Sequence, residues 1–195
     1  DWVLDSACQQ RARWLREHPA QPLDMAVNVS VRQLLSRGYV SSVAAILEHT
    51  GMDPAALILE VTAGIFRDDG ERAMTVLADL KALGLNLALD DFGTGYSSLN
   101  YLRRFPVDIV KIDQGFVADL GRDPATAAIV SALTHLTHAL GMTVTAEGVE
   151  TSAQRDLLIT LGCELAQGFL FAAPLPAARL SEHLQAAGPH PLHLP

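Results

Sequence analysis

Cysteine is scarce in this chain of 195 residues: Cys8 and Cys163 stand far apart and outside any C-x-x-C pattern. They read as two small apolar residues in a reducing compartment, not as a redox or metal motif. Cations are also outnumbered, with 14 Lys and Arg against 22 Asp and Glu and a formal net charge of -8. That balance argues against a nucleic-acid duplex as partner, because a binder of the phosphate backbone carries a basic face. A small anionic ligand stays open, since cations bound in a pocket reverse the local field. No apolar run approaches the roughly 20 residues needed to cross a bilayer. No basic stretch leading into an apolar core opens the chain. The domain is expected to be cytoplasmic, with membrane attachment of a longer parent protein left open.

What is present is a chain 49% hydrophobic, enough to build one substantial core. Six short segments rich in aliphatic and β-branched residues read as buried strands: 25–30, 57–62, 85–92, 109–113, 143–149 and 165–171. Helical patterns with clear end signals separate them. Ser30 and Gln33 have capping-box spacing and open a helix expected to run to Gly51. A helix begins at Asp69 and stops before Gly84, Asp123-Pro124 opens one that ends at Gly141, and Ser152 opens one that ends at Gly162. Further helices are expected from about Trp2 to Glu17 and from about Pro176 to Ala187.

Strand–helix alternation implies parallel strands joined by right-handed crossovers, which a doubly wound sheet and a barrel both satisfy. The polar residues favour the barrel. Asn28, Glu60, Asp90 with Asp91, Lys111, Glu147 and Gln167 all fall at the C-terminal ends of predicted strands. In a barrel those ends converge on one mouth, whereas an open sheet would bring only those beside its switch point to a ligand. The expected fold is therefore α/β, a TIM-like (β/α) barrel. Such barrels typically have about 250 residues and eight strands. Six are expected here, so residues 1–187 are read as a barrel whose N-terminal strands lie upstream. The tail 188–195, with His190 and His193, is expected to be disordered.

The strand-end residues are an oxygen-only set: one amide at Asn28 and carboxylates at Glu60, Asp90, Asp91 and Glu147. Such donors suit hard cations, Mg²⁺ or Mn²⁺, over zinc. Bare, the carboxylates would repel; pairing with arginines is the plainer alternative, but Lys111 is the cation found at a strand end. Adjacent strand residues point to opposite faces, yet at a strand end the chain turns, so Asp90 and Asp91 can both reach the mouth. One of them can then bridge two cations about 3.5–4 Å apart, the arrangement used for displacement at phosphorus. Lys111 lies in the apolar run Val110-Lys111-Ile112. Burying an amine without purpose is costly, so it is a candidate base or water-orienting group. A Schiff-base role, as in a lyase or aldolase barrel, is the rival that four neighbouring carboxylates disfavour.

Other patterns carry less. Gly93-Thr94-Gly95-Tyr96-Ser97-Ser98 lacks the third glycine of a dinucleotide-binding loop and follows two aspartates. It reads as a flexible loop beside the site. His135 and His138 have ligand-like spacing, but on a helix outside the barrel they read as surface or half-buried side chains.

Six blocks carry a resemblance to a known family: Asn28-Val29-Ser30-Val31-Arg32-Gln33-Leu34, Leu59-Glu60-Val61-Thr62, Asp90-Asp91-Phe92-Gly93-Thr94-Gly95-Tyr96-Ser97-Ser98-Leu99, Lys111-Ile112-Asp113, Ala146-Glu147-Gly148-Val149-Glu150 and Gln167-Gly168-Phe169-Leu170-Phe171. Over nearly all of residues 1–187 the chain resembles the EAL-domain phosphodiesterases, which hydrolyse cyclic di-GMP to linear pGpG. The resemblance implies Asn28, Glu60, Asp90, Asp91 and Glu147 as ligands of two Mg²⁺ or Mn²⁺ ions. It implies Lys111 as the group that helps deprotonate or hold the attacking water. Glu150 and Gln167 would support the water network, and Asp113 would stand behind the ligands. A homodimer and an upstream GGDEF or sensor domain in a parent protein are also implied.

Two departures from the family pattern are visible. The Glu-Ala-Leu signature is not in these residues, so a ligand is expected upstream and little activity is expected of these residues alone. The second predicted strand runs Glu60-Val61-Thr62-Ala63-Gly64 where the family has Glu-x-Thr-Glu-Ser. Ala63 cannot anchor the loop after the paired aspartates as that glutamate does. It favours the alternative of a catalytically impaired domain acting as a cyclic di-GMP receptor or protein-interaction module.

Overall fold

Short aliphatic runs and glycine-ended helices resolve, in the computed structural model, into six strands and eight α-helices among the described residues, which are 1–21, 23–65, 70–93 and 102–187. The strands are β1 Met25–Val29, β2 Leu57–Thr62, β3 Asn86–Phe92, β4 Ile109–Ile112, β5 Thr143–Ala146 and β6 Leu165–Ala166. The helices are α1 Trp2–Glu17, α2 Val31–Leu34, α3 Tyr39–Thr50, α4 Gly70–Ala82, α5 Gln114–Asp119, α6 Pro124–Ala139, α7 Ser152–Thr160 and α8 Ala177–Ala187. The sheet order is β1-β2-β3-β4-β5-β6, that of the chain. A doubly wound sheet reverses its order at a switch point, and no reversal occurs here. The class is α/β with the strand succession of a (β/α) barrel. The expected tail 188–195 with His190 and His193, residues 94–99 of the glycine-containing loop, and Asp69 all lie outside the described residues.

The described chain packs as two compact units, Asp1–Leu87 with 175–187, and Ala88–Pro174. In the first, α1 buries Leu4, Cys8, Arg11 and Trp14, a stripe at three- and four-residue spacing. The Arg11 side chain donates from Nε to the Leu23 carbonyl, and Trp14 Nε1 donates to Ser181 Oγ of α8 at 3.0 Å. Strands β1 and β2 pair in parallel with Asn28 opposite Glu60. The predicted capping box is present: Ser30 Oγ accepts from Gln33 N and the Gln33 side chain accepts from Ser30 N. The helix it opens does not continue to Gly51 as expected. It stops at Leu34, and α3 begins only after Gly38, whose φ of 79° an L-residue adopts at a cost.

In the second unit, Ile112, Val117, Leu120, Val130, Val144, Ala146, Val149, Leu158 and Cys163 form one buried cluster. At about 1.5–3 kcal/mol for each fully buried large aliphatic, this cluster is the main stabiliser of the strands beneath the site. Pairing is parallel and in register, with Lys111 opposite Thr145 and Thr145 opposite Leu165. Several strands end earlier than expected: β4 at Ile112, β5 at Ala146 and β6 at Ala166, so Asp113, Glu147 and Gln167 each stand one residue past a strand. The last strand was expected to reach 171. Gly168 ends it, with φ 155° and its Cα so close to Val149 that a Cβ would lie 2.3 Å from that residue's N and O. Leu170 N still donates to Val149 O at 2.9 Å, so the segment keeps its place without strand geometry.

Both cysteines are buried and free, as expected. Burial pushes both thiols above the ordinary value, so they stay protonated and inert. His135 and His138 are exposed on α6; His138 pairs with Glu164, whose other oxygen accepts from Val144 N at 2.9 Å. Among the described residues no helix is long and apolar enough to cross a membrane.

Candidate active site

Asp90 and Asp91 are neighbours in β3, and a regular strand would send their side chains to opposite faces. The strand is not regular there. Leu89 pairs with Val110 and Phe92 with Ile112, so β3 advances three residues while β4 advances two. The surplus residue is a β-bulge holding the two aspartates, flanked by the buried Leu89 and Phe92. Asp91 takes φ 54°, the one left-handed non-glycine residue among those described. Its N–H donates to Asp90 Oδ1 at 3.0 Å. Left-handed geometry costs an L-residue about 1–2 kcal/mol, less for Asp, whose short polar side chain bonds locally. The bulge turns both carboxylates to one side.

Glu147 joins them from the end of β5, where its N–H donates to Ile112 O at 3.0 Å and so fixes the backbone past the strand. Carboxylate oxygens of Asp90, Asp91 and Glu147 lie within 4.8 Å of one another. Lys111 rises from β4 between the buried Val110 and Ile112, and is itself 4% exposed. Its Nζ lies 2.6 Å from Glu147 Oε1 and 3.3 Å from Asp90 Oδ1. Gln167 Nε2 donates to the same Glu147 oxygen at 2.6 Å, and Gln167 N donates to Ala146 O at 2.8 Å. The Lys111 amine and the Gln167 amide thus both donate into this carboxylate cluster. Burial first, then the charges of Asp90 and Asp113, push the Asp91 carboxyl above the ordinary value, with Lys111 opposing.

Asp113 is not in the strand as expected. It caps α5, with Oδ1 accepting from Gly115 N at 2.8 Å. Glu150 is exposed and is not one of the three clustered acids; its N–H donates to Gln154 Oε1 at 2.9 Å. In the first unit, Asn28 and Glu60 are register partners near the ends of β1 and β2, Asn28 exposed and Glu60 7% exposed. Ala63 follows in a turn, half-buried.

The donors clustered in the second unit are carboxylate oxygens without histidine or cysteine. Such a set fits a hard divalent cation, since oxygen ligands are what Mg²⁺, Mn²⁺ and Ca²⁺ take. The surplus of negative charge over Lys111 favours a cation in the same sense. Two features escaped the sequence reading. The bulge depends on pairing with β4, which no local pattern reports. Helix α5 has six residues, too few for a visible period, though Asp113 at its N-cap was a signal.

A family model described as "EAL domain" matches residues 1–174. The chain is 45% identical over 180 residues to a Pseudomonas aeruginosa protein named bifunctional diguanylate cyclase/cyclic di-GMP phosphodiesterase MucR, covering 92% of this chain and 26% of that protein. A solved structure titled PaMucR Phosphodiesterase, c-di-GMP complex superposes with a TM-score of 0.86 at 45% identity, covering 92% of this chain and 72% of that one. The Klebsiella pneumoniae BlrP1 manganese/cy-diGMP complex at pH 9.0 gives a TM-score of 0.78 at 34% identity, covering 88% of this chain and 44% of that one. The chain spans about a quarter of the length of the curated relatives it matches.

Proposed function

Because the chain belongs to the EAL domain family, we propose that it is the catalytic part of a phosphodiesterase that opens cyclic di-GMP to linear pGpG. The observation that carries this reading is the Lys111 amine held between Glu147 and Asp90 at the rim of a three-carboxylate cluster. One water is consumed: its oxygen attacks phosphorus, a P–O3′ bond breaks, and the freed 3′ oxygen takes a proton. Asp90, Asp91 and Glu147 would hold the cations. For Asn28 and Glu60 the proposal rests on their motif positions. Two bound Mg²⁺ or Mn²⁺ ions would neutralise the carboxylates and polarise the phosphate and water oxygens.

With the carboxylates so engaged, Glu147 and Asp90 would compete less for the Lys111 amine, which would orient the attacking water and accept its proton. Gln167, bonded to Glu147, orients that carboxylate; Glu150 is assigned to the same water network from its motif position. The cyclic di-GMP complexes of MucR and BlrP1 and the manganese in the latter support the choice of substrate and metal. The name of MucR, which joins a cyclase to a phosphodiesterase, supports a cyclase-type neighbour for this domain in a parent protein.

A second reading, a cyclic di-GMP receptor without turnover, rests on Ala63, whose methyl group cannot accept a hydrogen bond where the family places a glutamate. Turnover assayed in Mn²⁺ beside a binding isotherm in Ca²⁺, on the domain within its parent protein, separates the two. Formation of pGpG supports hydrolysis. Tight binding with no product hands the site to the receptor reading.

A further inference from the structure

Two glycines follow closely on the clustered acids, and both rest against one short helix. Gly93, two residues past Asp91, has φ 103°, and a Cβ there would lie 2.5 Å from Phe116 Cε2. Gly148, immediately after Glu147, has φ 69°, and a Cβ there would lie 2.6 Å from Gln114 Cβ and 3.3 Å from Gln114 Cα. Phe116 and Gln114 are two residues apart in α5, whose start is capped by Asp113. The helix is anchored beneath: Val117 is fully buried, and the Phe116 ring packs on the core cluster of the second unit. It is also tied sideways, since Gln154 Nε2 donates to Val117 O at 3.1 Å while Gln154 Oε1 accepts from the N–H groups of Glu150 and Thr151.

We propose that α5 is a shared brace for the metal-holding loops: Phe116 against Gly93 and Gln114 against Gly148 fix where Asp91 and Glu147 point. The inference rests on the metal-site reading above. Left-handed backbone at Asp91 persists only where surroundings hold it, and Gly93, which adopts positive φ freely, is the point where the Phe116 ring can press against that segment. Beyond its chain neighbours, the three atoms nearest a Cβ placed on Gly93 all belong to the Phe116 ring, which a side chain there would displace. Both glycines are then explained as contact surfaces for the helix, and Asp113 acts by holding the helix in place. Phe116 is accordingly a positioning residue that acts through Gly93.

The test compares Phe116→Ala with Leu158→Ala, which removes a buried side chain from the same core cluster. Both are made in the domain within its parent protein. Amide hydrogen exchange without metal is read first. Residues 91–93 are expected to exchange about tenfold faster in Phe116→Ala than in Leu158→Ala once both are corrected for overall stability. The Mn²⁺ dissociation constant is expected to rise at least about tenfold in Phe116→Ala and to stay near wild type in Leu158→Ala. Phe116→Leu, which keeps an apolar side chain at the contact, should restore most of both; if Phe116→Ala fails to fold, Phe116→Val, which still withdraws the ring from Gly93, is compared with Leu158→Ala by the same criterion. Equal exchange at 91–93 in the two core variants overturns the brace. A wild-type protein that opens no cyclic di-GMP, while the exchange contrast persists, removes the reaction reading and leaves the brace standing.

Discussion

Replacing Lys111 with methionine keeps the buried stem and removes the charge, and the structure predicts opposite effects on stability and on turnover according to metal. The amine sits 2.6 Å from Glu147 and 3.3 Å from Asp90, with the three side chains 6%, 15% and 14% exposed. Removing one partner from a buried ion pair costs about 3–5 kcal/mol, mostly from the charge left behind. Both carboxylates retain some water, so the lower figure applies: about 3 kcal/mol in metal-free protein. In a chain of 195 residues that is a fall of roughly 6–12 °C in melting temperature. Saturating Mn²⁺ should recover most of it, because the ions replace the missing positive charge. Turnover should not recover. A positioned proton-transfer group is worth about 10²–10⁴ in rate, or roughly 2.7–5.4 kcal/mol of barrier. The assays are thermal melts with and without Mn²⁺, and chromatographic detection of pGpG at saturating metal. Activity within about tenfold of wild type would remove Lys111 from catalysis. A stability deficit that Mn²⁺ leaves untouched would refute the counterion argument.

Two further outcomes follow from the electrostatics. Burial and the neighbouring charges of Asp90 and Asp113 raise the Asp91 carboxyl. The folded state therefore binds that proton more tightly than the unfolded one, and stability is lost as pH rises through the folded value. Asp91→Asn should raise the melting temperature of the EDTA-treated protein at neutral pH, lose that advantage in acid, and weaken Mn²⁺ binding; an unchanged or lower neutral-pH melt contradicts the assignment. His49 links α3 to α1, with Nδ1 2.9 Å from the Ala45 carbonyl and Nε2 2.7 Å from Asp5 Oδ1. Both ring nitrogens donate only in the imidazolium, and the Ala45 hydrogen bond, then Asp5, raise the His49 value against burial. This contribution is complete below the unfolded value of about 6.5 and is lost as pH rises through the folded one. Replacing His49 with Gln should flatten the stability profile above about pH 6.5; an identical profile in the variant would show that the link is idle.

Much of this was legible because it is local. Aliphatic runs and their spacing located every strand, and Asp-Pro, Ser-x-x-Gln and glycine punctuation located most helix ends. Most of what escaped reading depends on partners distant in the chain. Strand β6 stops at Ala166, just before Gly168 meets Val149; the break before α3 is the local exception, a left-handed Gly38 inside an otherwise helical pattern. At the site, residue types announced oxygen chemistry, and motif positions named Asp90, Asp91, Lys111 and Glu147. Their convergence in the second unit depends on a register shift that only the pairing of β3 with β4 can produce. Asp113 shows the limit most clearly: its motif position suggested support of the ligands, but not that it stands past the strand as the cap of a six-residue helix.

The arrangement also explains how a sheet tolerates so much like charge at one rim. Every clustered group leaves from a place where ladder pairing has already ended or slipped: Asp90 and Asp91 from a bulge, Glu147 and Gln167 from the residue after a strand. Strain and desolvation fall on backbone that no longer carries the ladder, so Leu89, Val110 and Val144 beneath remain wholly apolar and buried. Lys111 is the exception, rising from within a paired strand, and it is the group that must not move if it is to serve two carboxylates in turn with a water. Two supports meet here: the paired strand β4 holds the amine, and the helix α5 holds the backbone that carries Asp91 and Glu147. Asp91 and Glu147 should therefore keep their backbone positions between metal-free and Mn²⁺-loaded forms, as Lys111 does, and a shift of either loop end on loading would contradict the brace.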